Sequence, residues 1–143
     1  MAFRVKDYMI KDMPTIDGEA SAFEACKIMT GKQEAYLIVF RGGQPEGIVT
    51  EGDLMRKIVG EQRDASATKV SEIMSAPLIT VNPDEIVTVA VKMMVDRNVR
   101  RLPVVRDGTL YGVFTMREMM RHFNEYNDRI VADIFRSMSL LHM

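Results

Sequence analysis

Few side chains in this 143-residue chain have the type and spacing to do chemistry. Its single cysteine, Cys26, and its two histidines, His122 and His142, stand apart in the sequence and offer no metal-ligand spacing. No Cys-x-x-Cys, His-x-x-x-His, Gly-x-Gly-x-x-Gly or P-loop pattern is present. Cys26 is expected on the buried stripe of a helix, where a thiol is usually inert. Without a cluster of titratable groups there is no sequence case for an enzyme. Two short elements remain, Thr50-Glu51-Gly52-Asp53 and Thr115-Met116-Arg117-Glu118. Each sets a threonine where a helix should begin and a carboxylate three residues on, the pattern of an N-cap with an acidic third position. The adjacent pair Arg100-Arg101 reads on the same terms as solvated or paired with acidic neighbours.

The elements that must position these residues come in two copies. Shifted by 65 residues, the chain aligns with itself from Val5 to Lys57 without a gap and with 14 identities in 53 positions, among them Met29/Met94, Gly47/Gly112, Thr50/Thr115 and Arg56/Arg121. The chain is a duplicated unit. In the first copy Ser21 and Glu24 cap a helix carrying Ala22, Cys26 and Met29. In the second, Asn82-Pro83-Asp84-Glu85 is expected to open a helix with Val87, Val91 and Met94 on its buried face. Each helix precedes two short apolar runs. Tyr36 to Phe40 and Gly47 to Val49 flank Gly42-Gly43-Gln44-Pro45; Leu102 to Val105 and Leu110 to Phe114 meet at Asp107-Gly108, a hairpin signal. A second helix should begin near Thr50 and Thr115. A short extended piece, around Met13 to Ile16 and Leu78 to Val81, precedes each first helix.

Each unit therefore reads β–α–β–β–α, giving an α/β fold of the α+β type. Two pseudo-symmetric repeats of this size are expected to pack face to face, since neither alone could bury both its helices. The expected boundaries are 4–59 and 70–124, with a polar linker at 60–69 and a helical tail at 125–143 that carries Ile130, Ile134, Met138 and Leu141. Gly47 and Gly112 mark either a close backbone approach to a ligand or a bulge in the strand. The recurring Lys27/Lys92 and Arg56/Arg121 fit solvated helix faces. Of the thirteen methionines, Met29, Met94 and Met120 are expected in the core as adaptable packing.

The strings Val70-Ser71-Glu72-Ile73-Met74, Ile79-Thr80-Val81 and Val99-Arg100-Arg101-Leu102-Pro103-Val104-Val105, with Gly47 to Leu54 in the first copy, resemble the tandem CBS family, whose paired repeats form a Bateman module. The resemblance covers residues 4 to 124. It implies a regulatory module that takes an adenosyl ligand (AMP, ADP, ATP or S-adenosylmethionine) between the repeats and has no catalytic cofactor. It also implies that Thr50 and Asp53 bind ribose, because a carboxylate accepts both vicinal hydroxyls. Ile79, Thr80 and Val81 would then lie against the base, and Arg100 and Arg101 would reach phosphate. A second, weaker site is implied at Thr15, Ile16, Thr115 and Glu118, where glutamate replaces aspartate. Family members commonly pair through their helices, so a homodimer is expected, acting on a separate effector protein. An interaction scaffold with vestigial clefts is the alternative.

Composition agrees with a small folded domain. Apolar residues make up 47% of the chain, enough for a real core, and the formal net charge is −1, with 19 basic and 20 acidic residues. No broad positive field exists to hold a nucleic-acid backbone, so nucleic-acid binding is not expected. No run approaches the roughly 18 apolar residues of a membrane span, and the N-terminal residues do not form a secretory signal. One cysteine permits no internal disulfide. A cytoplasmic location is expected.

Overall fold

The computed structural model describes residues 3–126, with side chains through residue 122. The expected tail, 125–143, lies outside the described residues from 127 onward. In chain order the elements of the first copy are β1 (Thr15–Asp17), α1 (Ala22–Lys32), β2 (Tyr36–Arg41), β3 (Gln44–Thr50) and α2 (Glu51–Asp53), which continues as a π-helical stretch, Leu54–Val59. The second copy follows with α3 (Val70–Ile73), α4 (Val87–Arg97), β4 (Arg101–Arg106), β5 (Thr109–Thr115) and α5 (Met116–Tyr126). The mixed α/β character and the doubling agree with the sequence reading.

Both hairpins close on two-residue turns whose residues have positive φ: Gly42 and Gly43 at 58° and 77°, Asp107 and Gly108 at 50° and 77°. Such turns match the right-handed twist of the strands, and glycine or aspartate adopts them at little cost. Each hairpin also carries a bulge at the same place. Val39 faces Gly47 while Phe40 faces Pro45; Val104 faces Gly112 while Val105 faces Leu110. β1 runs parallel to β2, with Ile16 opposite Val39. Its counterpart in the second copy shrinks to a single parallel bridge, Val81 to Val104.

Helix α1 begins as expected, with the Ser21 hydroxyl accepting the Glu24 amide at 3.0 Å. Its stripe does not include Cys26. Ala22, Ala25 and Met29 are buried and Cys26 is exposed, because the contact face follows the 22–25–29 line. Helix α4 starts at Val87, with Ile86 as N-cap, rather than at Asn82. Asn82 instead forms a side-chain turn, its Oδ1 accepting the Asp84 amide at 2.9 Å. The carbonyls of Pro83 and Glu85 accept the amides of Lys6 and Val5 at 3.0 and 2.9 Å. Residues 82–85 thus serve the 3-10 turn at Val5–Asp7 and cannot also wind into a helix. Met120 is exposed (57%), unlike Met29 and Met94, which are in the core.

Those bonds belong to an exchange between the copies. The segment before each first strand packs on the other copy. Residues 4–10 bridge Ile86 and Val113, while residues 69–75 bridge Ser21 and Ile48. Val5 is fully buried among Val81, Ala90, Met94, Leu102 and Phe114; Val70 is fully buried among Ile16, Ala22, Met29 and Leu37. The connection before α3 is also partly interior. The carbonyls of Thr68 and Ala65 accept the first amides of α1, at 2.8 and 3.1 Å, donors that a helix N-terminus otherwise leaves unpaired. Tyr36, Ile38 and Val113 form a third buried cluster where the two copies meet. Each core is completed by a segment of the other, so neither repeat is whole alone.

Candidate functional site

The end of β3 delivers Thr50 to the mouth of a cleft of about 510 Å³ between the copies. Thr50 is the N-cap of α2 and forms a reciprocal box with Asp53. The threonine hydroxyl accepts the Asp53 amide at 3.3 Å, and Asp53 Oδ2 accepts the Thr50 amide at 3.0 Å and its hydroxyl at 3.2 Å. The carboxylate is 3% exposed. Its Oδ1 meets Lys57 Nζ at 3.2 Å and Arg56 Nη2 at 3.6 Å. Lys57 is itself tied to the Ile73 carbonyl at 2.8 Å. Oδ2 is therefore taken up by the helix cap, whereas Oδ1 meets only the two cations, Arg56 lying beyond hydrogen-bond distance.

The same cleft is lined by Ile79, Val99, Arg100 and Arg101. Thr50, Asp53, Ile79 and the two arginines, separated by up to 51 positions in sequence, thus share one wall-to-wall space. Thr80 and Val81 do not line it. Val81 has entered the second core (5% exposed) beside Val104, and the alternation of an extended segment turns Thr80 out to solvent. Leu78 and Pro77 line the cleft in their place.

A second cleft of about 950 Å³ repeats the first under the 65-residue shift. Thr115, Glu118, Arg121, Gln33 and Tyr36 stand where Thr50, Asp53, Arg56, Asn98 and Arg101 stand in the first. The Thr115 hydroxyl accepts the Glu118 amide at 3.0 Å, and the Glu118 carboxylate reaches Arg121 at 3.4 Å and His122 Nε2 at 3.1 Å. Thr15 and Ile16 do not line this cleft. Thr15 is exposed and Ile16 lies in the first core, for the reasons that remove Thr80 and Val81 from the other.

Tyr36 and Arg101, equivalent under the shift, touch each other: the guanidinium lies 4.8 Å above the ring. The Tyr36 hydroxyl has no hydrogen-bond partner among the described residues. Burial pushes the phenol up to about 12, with Glu34 adding to the rise and Arg101 opposing it. Burial also lowers Arg101 from its ordinary value. Tyr36, Arg56, Lys57 and Asn98 escaped the sequence reading. Arg56/Arg121 carried a signal, since they recur in both copies, yet a solvated helix face accounted for that equally well. Gly47 and Gly112 admit a neighbouring backbone rather than a ligand: an added Cβ would sit 2.8 Å from the Ser75 carbonyl oxygen and 2.5 Å from that of Ile10. Among the described residues no group of His, Cys, Asp and Glu could hold a metal ion, and no helix is long and apolar enough to cross a membrane.

Similar proteins share this fold. The chain is 34% identical over 106 residues to the CBS domain-containing protein CBSX3, mitochondrial, of Arabidopsis thaliana, an overlap covering 71% of this chain and 52% of the relative. It spans about half the length of curated relatives such as this one. Among solved structures it superposes on a hexameric CBS-CP12 protein from bloom-forming cyanobacteria with a TM-score of 0.77 and 27% identity, covering 99% of this chain and 85% of that one. It also superposes on the CBS domain pair of protein MJ0100, in complex with 5′-methylthioadenosine and S-adenosyl-L-methionine, with a TM-score of 0.78 and 26% identity, covering 89% and 100%. A family model for the CBS domain matches residues 5–60 and again 70–125. With two matches that account for most of its length, the chain belongs to the CBS-domain family and carries a tandem pair of its domains.

Proposed function

We propose that this pair is a regulatory sensor that binds an adenosyl ligand (AMP, ADP, ATP or S-adenosylmethionine) in the Thr50–Asp53 cleft and passes its occupancy to a partner protein. The observation that carries this reading is the buried Asp53 carboxylate, set at a helix start in a cleft that also holds an apolar wall at Ile79 and two arginines. Ribose hydroxyls would take the place of Arg56 on Asp53, the base would lie against Ile79 and Val99, and phosphate or another anionic group would meet Arg100 and Arg101. MJ0100, whose domain pair holds adenosyl compounds, supports the ligand class. Occupancy can shift the arrangement of the repeats only through different affinity for two arrangements. Phe23, Met55, Val59 and Val95 are exposed apolar residues on the helices, and self-association through these faces would cover them. The hexameric relative supports self-association as well. The work is non-catalytic in this reading, and a reducing cytoplasm suits the exposed Cys26 thiol.

The experiment is calorimetric titration of the purified protein with each of the four ligands, with Asp53→Asn as control. Asparagine keeps the cap acceptor and removes the charge. Saturable binding of one ligand, weakened at least tenfold in the variant, is the expected result. No heat with any of the four, in folded protein stripped of retained ligand, would leave the second reading, a scaffold with vestigial clefts. That alternative is favoured by the part Asp53 already plays in the helix cap and in the ion pair with Lys57.

A further inference from the structure

The two clefts are related by the internal repeat, but their cations are not. Under the 65-residue shift Ala35-Tyr36 corresponds to Arg100-Arg101, so a symmetric pair of sites would need four basic residues where the chain supplies two. Arg100 and Arg101 line both clefts, together with Ala35 and Glu51. Arg101 is seated over Tyr36 in the wall between them. The other cations beside the two carboxylates belong to one cleft each: Arg56 and Lys57 face Asp53, and Arg121 faces Glu118. Lys32 and Arg117 line the second cleft alone and are exposed, as Arg100 is, so Arg100 and Arg101 are the cations that the two clefts share. Among the described residues neither Arg100 nor Arg101 forms an ion pair with a carboxylate.

Building on the adenosyl-ligand reading above, we infer that the two clefts compete for one pair of cations, so that an anionic ligand in either weakens anionic binding in the other. A guanidinium drawn toward phosphate on one side is withdrawn from the opposite side. The second anion then enters beside the first charge and without its counter-ion. An uncharged nucleoside makes no such demand, and its two binding events are independent. Coupling of this kind is commonly worth 5- to 150-fold in affinity. The regulatory consequence is that a polyphosphate ligand fills one cleft per chain, leaving the other for a ligand of lower negative charge.

The test is calorimetry with two probes, adenosine and ATP, comparing for each the ratio of second-site to first-site dissociation constants. The expected ratio is at least tenfold larger for ATP than for adenosine. Arg101→Met keeps a side chain over Tyr36 but removes the shared charge, and it should bring the ATP ratio down to that of adenosine. Ala35→Arg supplies the missing mate of Arg100 and should do the same while strengthening the second ATP site. Because both probes are read on each variant, a fault in folding would move both ratios and be recognised. Equal ratios for the two probes in the native chain, or adenosine in a single cleft only, would overturn the coupling and leave the sensor reading intact. Absence of binding by both probes would overturn the coupling, and the four-ligand titration above would then decide the sensor reading separately.

Discussion

Replacing Gly112 by alanine should destabilise the protein markedly, although it adds only one methyl group to a strand. The new Cβ would lie 2.5 Å from the carbonyl oxygen of Ile10 and 3.2 Å from Met9 Cγ and Sδ. The carbonyl cannot rotate away, because it accepts the Val113 amide at 2.9 Å while the Ile10 amide donates to Val113 at 2.8 Å. Overpacking of this kind costs about 1–3 kcal/mol, and weakening two backbone bonds adds about 1 kcal/mol more. A total of about 2–4 kcal/mol is a large part of the roughly 5–15 kcal/mol that holds a domain folded. At about 4 °C per kcal/mol, between the values for smaller and larger domains, the melting temperature should fall by about 8–16 °C. Gly47→Ala should cost less, since its nearest neighbour is the flexible Met74 Sδ at 2.5 Å, with the Ser75 carbonyl oxygen at 2.8 Å. Gly31→Ala is the internal control. It meets nothing within 4 Å and lies in α1, so the helix preference for alanine should raise stability by about 0.5–1 kcal/mol. Thermal and urea unfolding followed by circular dichroism, at one fixed protein concentration, measure all three. If Gly112→Ala matches Gly31→Ala in sign or shifts melting by less than about 2 °C, the exchanged segment does not hold the backbone contact described above.

Tyr36→Phe should stabilise the protein at pH 7 by about 1–2 kcal/mol, since it removes a buried hydroxyl without a partner. The folded phenol keeps its proton to about 12 while the unfolded one releases it near 10. The native chain is therefore at full stability below pH 10 and should lose about 2–3 kcal/mol as pH rises from 10 toward 12. The variant should show no such loss from this residue, and urea titrations at pH 7 and pH 11.5 compare them. Asp53→Ala should cost about 2–4 kcal/mol by removing the cap acceptor and leaving Lys57 without its carboxylate. Asp53→Asn should cost about half as much. Melting curves that place the two variants together would mean that the charge, not the cap, is what stabilises this helix start.

What the sequence determined by itself is what local chemistry and self-similarity can carry. The duplication is written in fourteen aligned identities, the hairpins in Gly42-Gly43 and Asp107-Gly108, and the α1 start in Ser21 with Glu24. Each of these depends on residues within a few positions of one another, or on comparison of the chain with itself. The tertiary structure decided the rest, because the partners come from distant positions. Asn82 to Glu85 has the composition of a helix start, yet the amides of Val5 and Lys6 claim its carbonyls and the helix waits until Val87. Cys26 lies one residue off the line that α1 presents to the core. Sequence alone does not distinguish ligand from bulge at Gly47 and Gly112; the exchanged segments that run against them do. Thr50, Asp53, Ile79, Arg100 and Arg101 each belong to a recognisable string, but their convergence requires both copies to fold together. The seat of Arg101 on Tyr36 had no local signal at all. A repeat encodes equivalence between positions 36 and 101, whereas their contact exists only because the two copies meet there.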